Sequence, residues 1–179
     1  VAFGEDCGWF GERFSFLITE SVPCDITLQQ FLESCDLPVR RRRVLEALAR
    51  YVRRMHETGF AMPDLYTRHL YVQDTAGEAA FYLIDMARLN HRARSRFSHR
   101  VRDLAALNVT APLRHVSWRE RLRFLRVYDR HLARVLLRGI AVRMKRLLRR
   151  RKHADFQELA ADLPRRSTVS RICGAQSAN

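Results

Sequence analysis

The chain has 179 residues, 47% of them hydrophobic and 29% charged, the balance of one globular domain with a real core and not of a disordered tail. No apolar run approaches the roughly 18 residues of a membrane span; the best, VLLRGIAV, is broken by Arg138, and the acidic start VAFGEDCGWFGE lacks a signal-peptide pattern. The formal charge of +14 is unevenly spread, with −6 on residues 1–36, +7 on 37–113 and +13 on 114–152. That asymmetry points to an anionic partner for the C-terminal half, with solvated helix faces as the bland alternative.

In chain order, Gly4, Gly8 and Gly11 punctuate a turn-rich start that reads as a hairpin turn between two strands, and RFSFLITE (13–20) reads as a buried strand. Asp25 or Thr27 caps a short helix through Leu28, Phe31 and Leu32. Pro38 opens a long helix whose Leu45, Leu48, Ala49, Val52, Met55 and His56 follow helical spacing, with Arg40–Arg43 on its exposed side and Gly59 as its stop. Strands over 70–73 and 81–85 then flank a turn at Asp74–Gly77. HRVRDLAALNV forms a helix that ends before Pro112. Ser117 and Glu120 make an S-x-x-E capping box for a helix with Trp118, Leu122, Leu125, Leu132 and Leu136 as its stripe. A basic segment, a short helix around Phe156–Leu163 and a disordered Ser/Thr/Arg-rich tail from Pro164 complete the chain.

Cys7, Cys24, Cys35 and Cys173 show no metal-ligand or redox spacing, so reduced thiols are expected. The informative stretch lies between the long helix and the hairpin. Asp64 sits in a loop, His69 follows five residues later at a strand start, and Asp85 closes the second strand. This is the layout of a kinase catalytic loop followed by a strand pair and a metal-binding aspartate. One carboxylate accepts the proton of an attacking hydroxyl while further ligands hold Mg²⁺ against phosphates. Taken singly, the three residues also fit a loop cap, a satisfied core histidine and a strand-ending turn residue.

Four ordered blocks resemble the lipopolysaccharide kinase family, which phosphorylates heptose or Kdo sugars of the inner core. They are MHETGFAMPDLYTRHLYV (55–72), YLIDMAR (82–88), VRDLAAL (101–107) and WRERLRFLRVY (118–128). The family loop reads H-R-D-x-Y-x-x-H, and Asp64, Tyr66 and His69 match it. The resemblance implies an α+β, protein-kinase-like fold, mainly the helical large lobe with a catalytic-loop hairpin. Residues 1–22 would end the small lobe and its hinge, 23–163 would form the large lobe, and 164–179 the tail. ATP and Mg²⁺ are the implied cofactors. Asp64 would orient the sugar hydroxyl, Asp85 would bind Mg²⁺, and His69 would stand beside the phosphates and the metal. Glu20 at the hinge and Arg88 would contact the nucleotide, while Asp103 and Tyr66 would support the loop. The implied partners are a lipid-linked core oligosaccharide and the anionic face of the inner membrane, met by residues 114–152, in a cytoplasmic, peripheral protein without nucleic acid.

Three departures bear on activity. Met62–Pro63 replaces the H-R pair, Met86–Ala87 replaces the Phe-Gly of D-F-G, and no lysine precedes Lys145. The strand lysine that pairs with nucleotide phosphates is therefore absent from this sequence. The chain begins at Val1 and reads as a large lobe lacking most of the small lobe, either a fragment or a non-catalytic relative. The alternatives are a kinase-like binding module and, from charge alone, an arginine-rich nucleic-acid binder.

Overall fold

The computed structural model describes residues 2–9, 11–75, 77–91, 96–111 and 113–150; the helix expected at 156–163 and the tail from 164 lie outside them. Strands β1 (Ala2–Gly8) and β2 (Gly11–Ile18) pair antiparallel around the glycine turn, as the spacing of Gly8 and Gly11 suggests. The expected burial of this region is not found. Phe14, Phe16 and Ile18 alternate onto one face of β2 and remain exposed there, because no described helix covers that face. The Phe16 ring folds over Gly4, 2.5 Å from where a Cβ would stand, so a side chain at residue 4 would push this exposed ring aside.

Helix α1 (Leu28–Ser34) starts at Thr27, not Asp25: the Gln30 amide donates to Thr27 Oγ1 at 3.2 Å while Gln30 Oε1 accepts from the Thr27 amide at 2.9 Å. Helix α2 (Pro38–Glu57) uses Pro38 in its first turn, where the missing N–H costs nothing. It stops at Thr58, ahead of Gly59 with φ 90°. Its inner stripe of Val44, Leu45, Leu48, Ala49 and Val52 is buried, each such side chain contributing about 1.5–3 kcal/mol for the larger aliphatics. The arginines of its first turns are not simply solvated. Arg40 and Arg43 both grip Asp74, and Arg41 reaches Glu120 at 2.9 Å.

Strands β3 (Phe60–Ala61), β4 (Leu70–Thr75), β5 (Glu78–Leu83) and β6 (Asn90–His91) follow, β4 pairing with β5 and β3 with β6. The hairpin strands run closer to the turn than expected, so Asp74 is a paired strand residue and β5 ends two residues before Asp85. The twin arginine clamp on Asp74 binds this hairpin to the start of α2.

Helix α3 (Phe97–Thr110) supplies the buried Leu104, Ala105 and Leu107. The helix expected from Ser117 onward is two helices, α4 (Trp118–Tyr128) and α5 (Ala133–Arg150). The break comes from Asp129, whose Oδ1 accepts from the amides of His131 and Leu132, each at 3.0 Å, and so starts a new turn. Trp118, expected in the apolar stripe, is 58% exposed because it occupies the first turn of α4 and not its inner face. Gly139 lets α5 lie directly on α3, a Cβ there falling 3.0 Å from Val101 Cγ2.

Two polar joints hold the helices together. Arg121 is buried and donates to the carbonyls of Asn108, Ala111 and Val116, fixing the α3–α4 connection; burial pushes its guanidinium down to about 10. Glu120 joins α4 to α2. Burial tends to raise its pKa, but bonds from Ser117 and Arg41 outweigh this and hold the carboxyl below its usual range. A carboxylate held low in the folded state adds stability above the unfolded-state value, and that stability is lost as pH falls through the folded one. Glu120→Gln is therefore expected to lower stability by about 1 kcal/mol at neutral pH, a few degrees in melting temperature. Melting curves from pH 7 to pH 3 check it: the gap between wild type and variant should close below about pH 4.3.

Candidate functional site

The stretch 62–69 is pinned from behind before any reactive group is placed. Met62 is buried, and its amide donates to Asp103 Oδ2 at 2.6 Å. Asp103 has no exposed surface and also accepts from Arg102 Nε at 2.8 Å and from His56 Nε2 at 3.3 Å. Desolvation pushes the buried Tyr128 phenol far above its ordinary range, so it stays protonated and donates to His56 Nδ1 at 2.8 Å. The network thereby assigns the imidazole proton to Nε2, facing Asp103. Farther along, the Thr67 amide donates to Thr110 Oγ1 at 3.1 Å, and Thr67 Oγ1 donates to the Thr110 carbonyl at 2.9 Å. The loop is thus held by α2, α3 and α4 together.

From this base the structure brings three of the expected residues together. His69 Nδ1 donates to the Asp64 carbonyl at 2.9 Å, and its Nε2 lies 3.6 Å from Asp85 Oδ2. The Ile84 amide donates to the His69 carbonyl at 3.0 Å, which ties the end of β5 to the loop and sets Asp85 beside His69. Asp85 sits at φ 54°, ψ 52°, the one non-glycine residue with positive φ among those described. That left-handed conformation costs about 1 kcal/mol for a non-glycine residue, least for Asn and Asp, and such outliers gather at functional sites. It turns a 59% exposed carboxylate outward next to the imidazole.

The Asp64 carboxylate is mostly covered, and Arg88 Nη1 spans both its oxygens at 3.0 and 3.1 Å. Arg88 itself is 68% exposed, so the pair lies at the mouth of the group. Tyr66 is buried against the His69 ring, centroids 5.3 Å apart, and the Arg68 guanidinium lies over the Tyr66 ring at 4.9 Å from its centroid. Arg68 Nε also donates to His69 Nε2 at 3.1 Å. Glu20 is placed apart: it is exposed beyond β2, and none of the described hydrogen bonds or ion pairs links it to this group.

The donor set suits a hard cation at Asp85. Mg²⁺ is commonly held by one or two carboxylates, with phosphate and water oxygens completing six positions. The outward carboxylate of Asp85 meets that need, while the neighbouring His69 Nε2 already accepts from Arg68. Among the described residues no cluster of three or more His, Cys, Asp or Glu is placed to hold a metal ion.

Sequence reasoning counted His56 only as a member of an apolar stripe and passed over Thr67, Thr110 and Tyr128. His56 has helical core spacing, and its one signal was a titratable group on that inner face.

A sequence profile described as "Lipopolysaccharide kinase (Kdo/WaaP) family" matches residues 1–128. The chain is 32% identical over 149 residues to the lipopolysaccharide core heptose(I) kinase WaaP of Pseudomonas aeruginosa, covering 79% of this chain and 56% of that protein. Its fold is similar, with a TM-score of 0.63 and 30% identity, to a solved structure described as WaaP in complex with acyl carrier protein, over 81% of this chain and 65% of that one. The chain thus spans 56% of the curated relative's length and 65% of the solved chain's.

Replacing Asp103 tests the pinning. Asp103→Ala leaves the Met62 amide and His56 Nε2 buried without acceptors, at about 1–3 kcal/mol each. The expected result is a loss of several degrees in melting temperature and faster hydrogen exchange at Met62–His69, with the β1–β2 hairpin unaffected. A uniform change across the chain would show that the carboxylate does not act through the loop.

Proposed function

The chain belongs to the lipopolysaccharide kinase (Kdo/WaaP) family, and from that premise we propose that it is the large lobe of a kinase acting on a sugar hydroxyl of the lipopolysaccharide core. The observation that carries the reading is the convergence of Asp64, His69 and Asp85 on one rigid loop and hairpin. In this proposal the acceptor hydroxyl attacks the γ-phosphorus of ATP, the bond to the β-phosphate oxygen breaks, ADP leaves, and Asp64 takes the hydroxyl proton. Mg²⁺ held by Asp85 supplies charge neutralisation at the phosphates. His69 keeps the loop carbonyl of Asp64 in place and presents its other nitrogen beside Asp85. Arg88 meets both oxygens of Asp64 through Nη1 alone, so an entering hydroxyl displaces one of those contacts while the guanidinium nitrogens that do not touch Asp64 serve phosphate. Tyr66 and Asp103 position the loop. Glu20 and the β1–β2 hairpin are assigned to the hinge and to the small-lobe sheet, in line with the order of the family blocks.

Residues 1–144 contain no lysine, so the proposal gives the chain of 179 residues little capacity to hold nucleotide phosphates. Alone it is expected to transfer negligible phosphate from labelled ATP to purified lipopolysaccharide core. A chimera in which the Pseudomonas aeruginosa relative's small lobe precedes residue 1 should be active. In that chimera Asp64→Asn and Asp85→Asn should each lower turnover by roughly 10²–10⁴-fold. Full turnover by the Asp85→Asn chimera would remove the metal assignment.

Two partner readings accompany this one. The outward face of α5 carries exposed Arg134, Arg138, Lys145, Arg146 and Arg149, which suits an anionic membrane surface; among the described residues no helix is long and apolar enough to cross one. Binding to anionic vesicles should then fall steeply with added salt, and equal binding to neutral vesicles would reject it. Acyl carrier protein is the second partner, prompted by the solved relative and by a cavity of about 60 Å³ walled by Leu32, Leu48, Leu104, Phe124, Leu137 and Ile140. Such walls offer an acyl chain apolar contact, and Trp118 and Arg121 are also at the cavity.

A further inference from the structure

The start of α2 and the start of α4 are locked side by side by the Arg41–Glu120 pair, and beside that lock opens a groove of about 480 Å³. Five guanidinium groups line it, from Arg41, Arg42, Arg114, Arg119 and Arg123, together with His115. Glu120 is the one carboxylate in its wall, and it is already committed: Oε1 accepts from Arg41, and Oε2 accepts from the Ser117 hydroxyl and amide. Arg42 pairs with Glu46 at 2.9 Å, and Arg123 approaches the same carboxylate only at 3.9 Å. Among the described residues Arg114 and Arg119 enter no ion pair, although both lie exposed on the groove wall. Cations gathered in a concavity with so little acidic compensation repel one another, and an anion in the groove relieves that repulsion.

The geometry points to a phosphoanion-binding site in this groove, separate from the catalytic loop. Along α2, Arg41 and His56 are about 22 Å apart at the helical rise per residue, so one ligand cannot bridge the groove and the Asp64 group. Guanidinium forks match phosphate oxygens two at a time, and several converging forks favour a phosphomonoester or diphosphate over a single carboxylate. Pro38, Val39 and Leu113 complete the lining, and a volume of about 480 Å³ gives room for a headgroup-sized anion. The phosphate can belong to a lipid headgroup or to a free phosphorylated molecule; the chemistry of recognition is the same. The site stands on its own charges and cavity, so its failure would leave the kinase reading intact.

The protein contains its own reporter. Trp118 lies between Ser117 and Arg119 of the groove wall, and the other tryptophan, Trp9, is in the hairpin turn and can be silenced as Trp9→Phe. In the full chain carrying that change, titration with inorganic pyrophosphate at low salt should shift Trp118 emission saturably. Arg114→Ala with Arg119→Ala should weaken the effect at least tenfold, while Arg50→Ala with Arg130→Ala, an equal charge loss at exposed positions outside the groove lining, should leave it within twofold. Melting curves on both double variants control for folding. Equal weakening by the two pairs, or no saturable shift, would overturn the site in favour of a diffuse basic field. A shift given only by an acidic protein and never by pyrophosphate would overturn it in favour of a protein-docking surface. Vesicles of phosphatidic acid and of phosphatidylglycerol, matched in charge, separate the sources. Displacement of pyrophosphate by phosphatidic acid alone supports a lipid monoester, and displacement by neither supports a free anion.

Discussion

A carboxylate removed from water has to be matched by donors on every side, and Asp103 is such a carboxylate. Its donors come from three different parts of the chain: the Met62 amide, His56 on α2 and Arg102 on α3. Tyr128 at the end of α4 completes the set through His56. Three helices must therefore arrive in register before the charge is satisfied, and once they do, the backbone entering the loop has one position. The pairing of Thr67 with Thr110 repeats the arrangement about two turns farther along α3 with neutral groups. Between these anchors Leu65 is buried in the core, and the loop presents Asp64 there and His69 just beyond.

Local chemistry was the readable part. Pro38 as a first-turn residue, the Ser117–Glu120 box, the glycine hairpin and the stop before Gly59 each depend on a few neighbouring residues, and each stands in the structure. The Asp64, His69 and Asp85 spacing was readable for the same reason, because a hairpin of fixed length returns the chain to where it left. What depended on distant partners was not readable. Phe14, Phe16 and Ile18 have the pattern of a buried strand, but pattern cannot say whether a second layer exists. The α4 and α5 stripes run on continuously in sequence, so the single carboxylate of Asp129 that starts the new turn was hidden inside them. Arg41 and Arg43 looked like a solvated run until Glu120 and Asp74, 79 and 31 residues away, were seen opposite them. Nothing in the sequence sets Arg121 apart from the arginines around it, yet it is the buried peg of the α3–α4 connection.

Charge is divided between two tasks in this molecule. Inside, single ionised groups are surrounded by backbone: Arg121 by carbonyls, Asp103 by an amide and side-chain donors. Outside, cations outnumber anions from residue 37 onward, and two of the acids that do occur there, Asp74 and Glu120, are spent on joints. The surplus is left on the groove beside α2 and α4 and on the outer side of α5. The same excess of arginine thus serves as internal scaffolding at some positions and as a surface field at others, and burial alone separates the two uses.

The surface field is built almost wholly from guanidinium groups, with Lys145 as the only amine on the described stretch of α5. Guanidinium keeps its proton throughout the range in which proteins stay folded, and enzymes that acetylate lysine amines find a single described target in it, Lys145. The outer face of α5 therefore holds a nearly constant potential. A cell could modulate what that face attracts through ionic strength or through the composition of the partner, but hardly through the charge state of the protein itself.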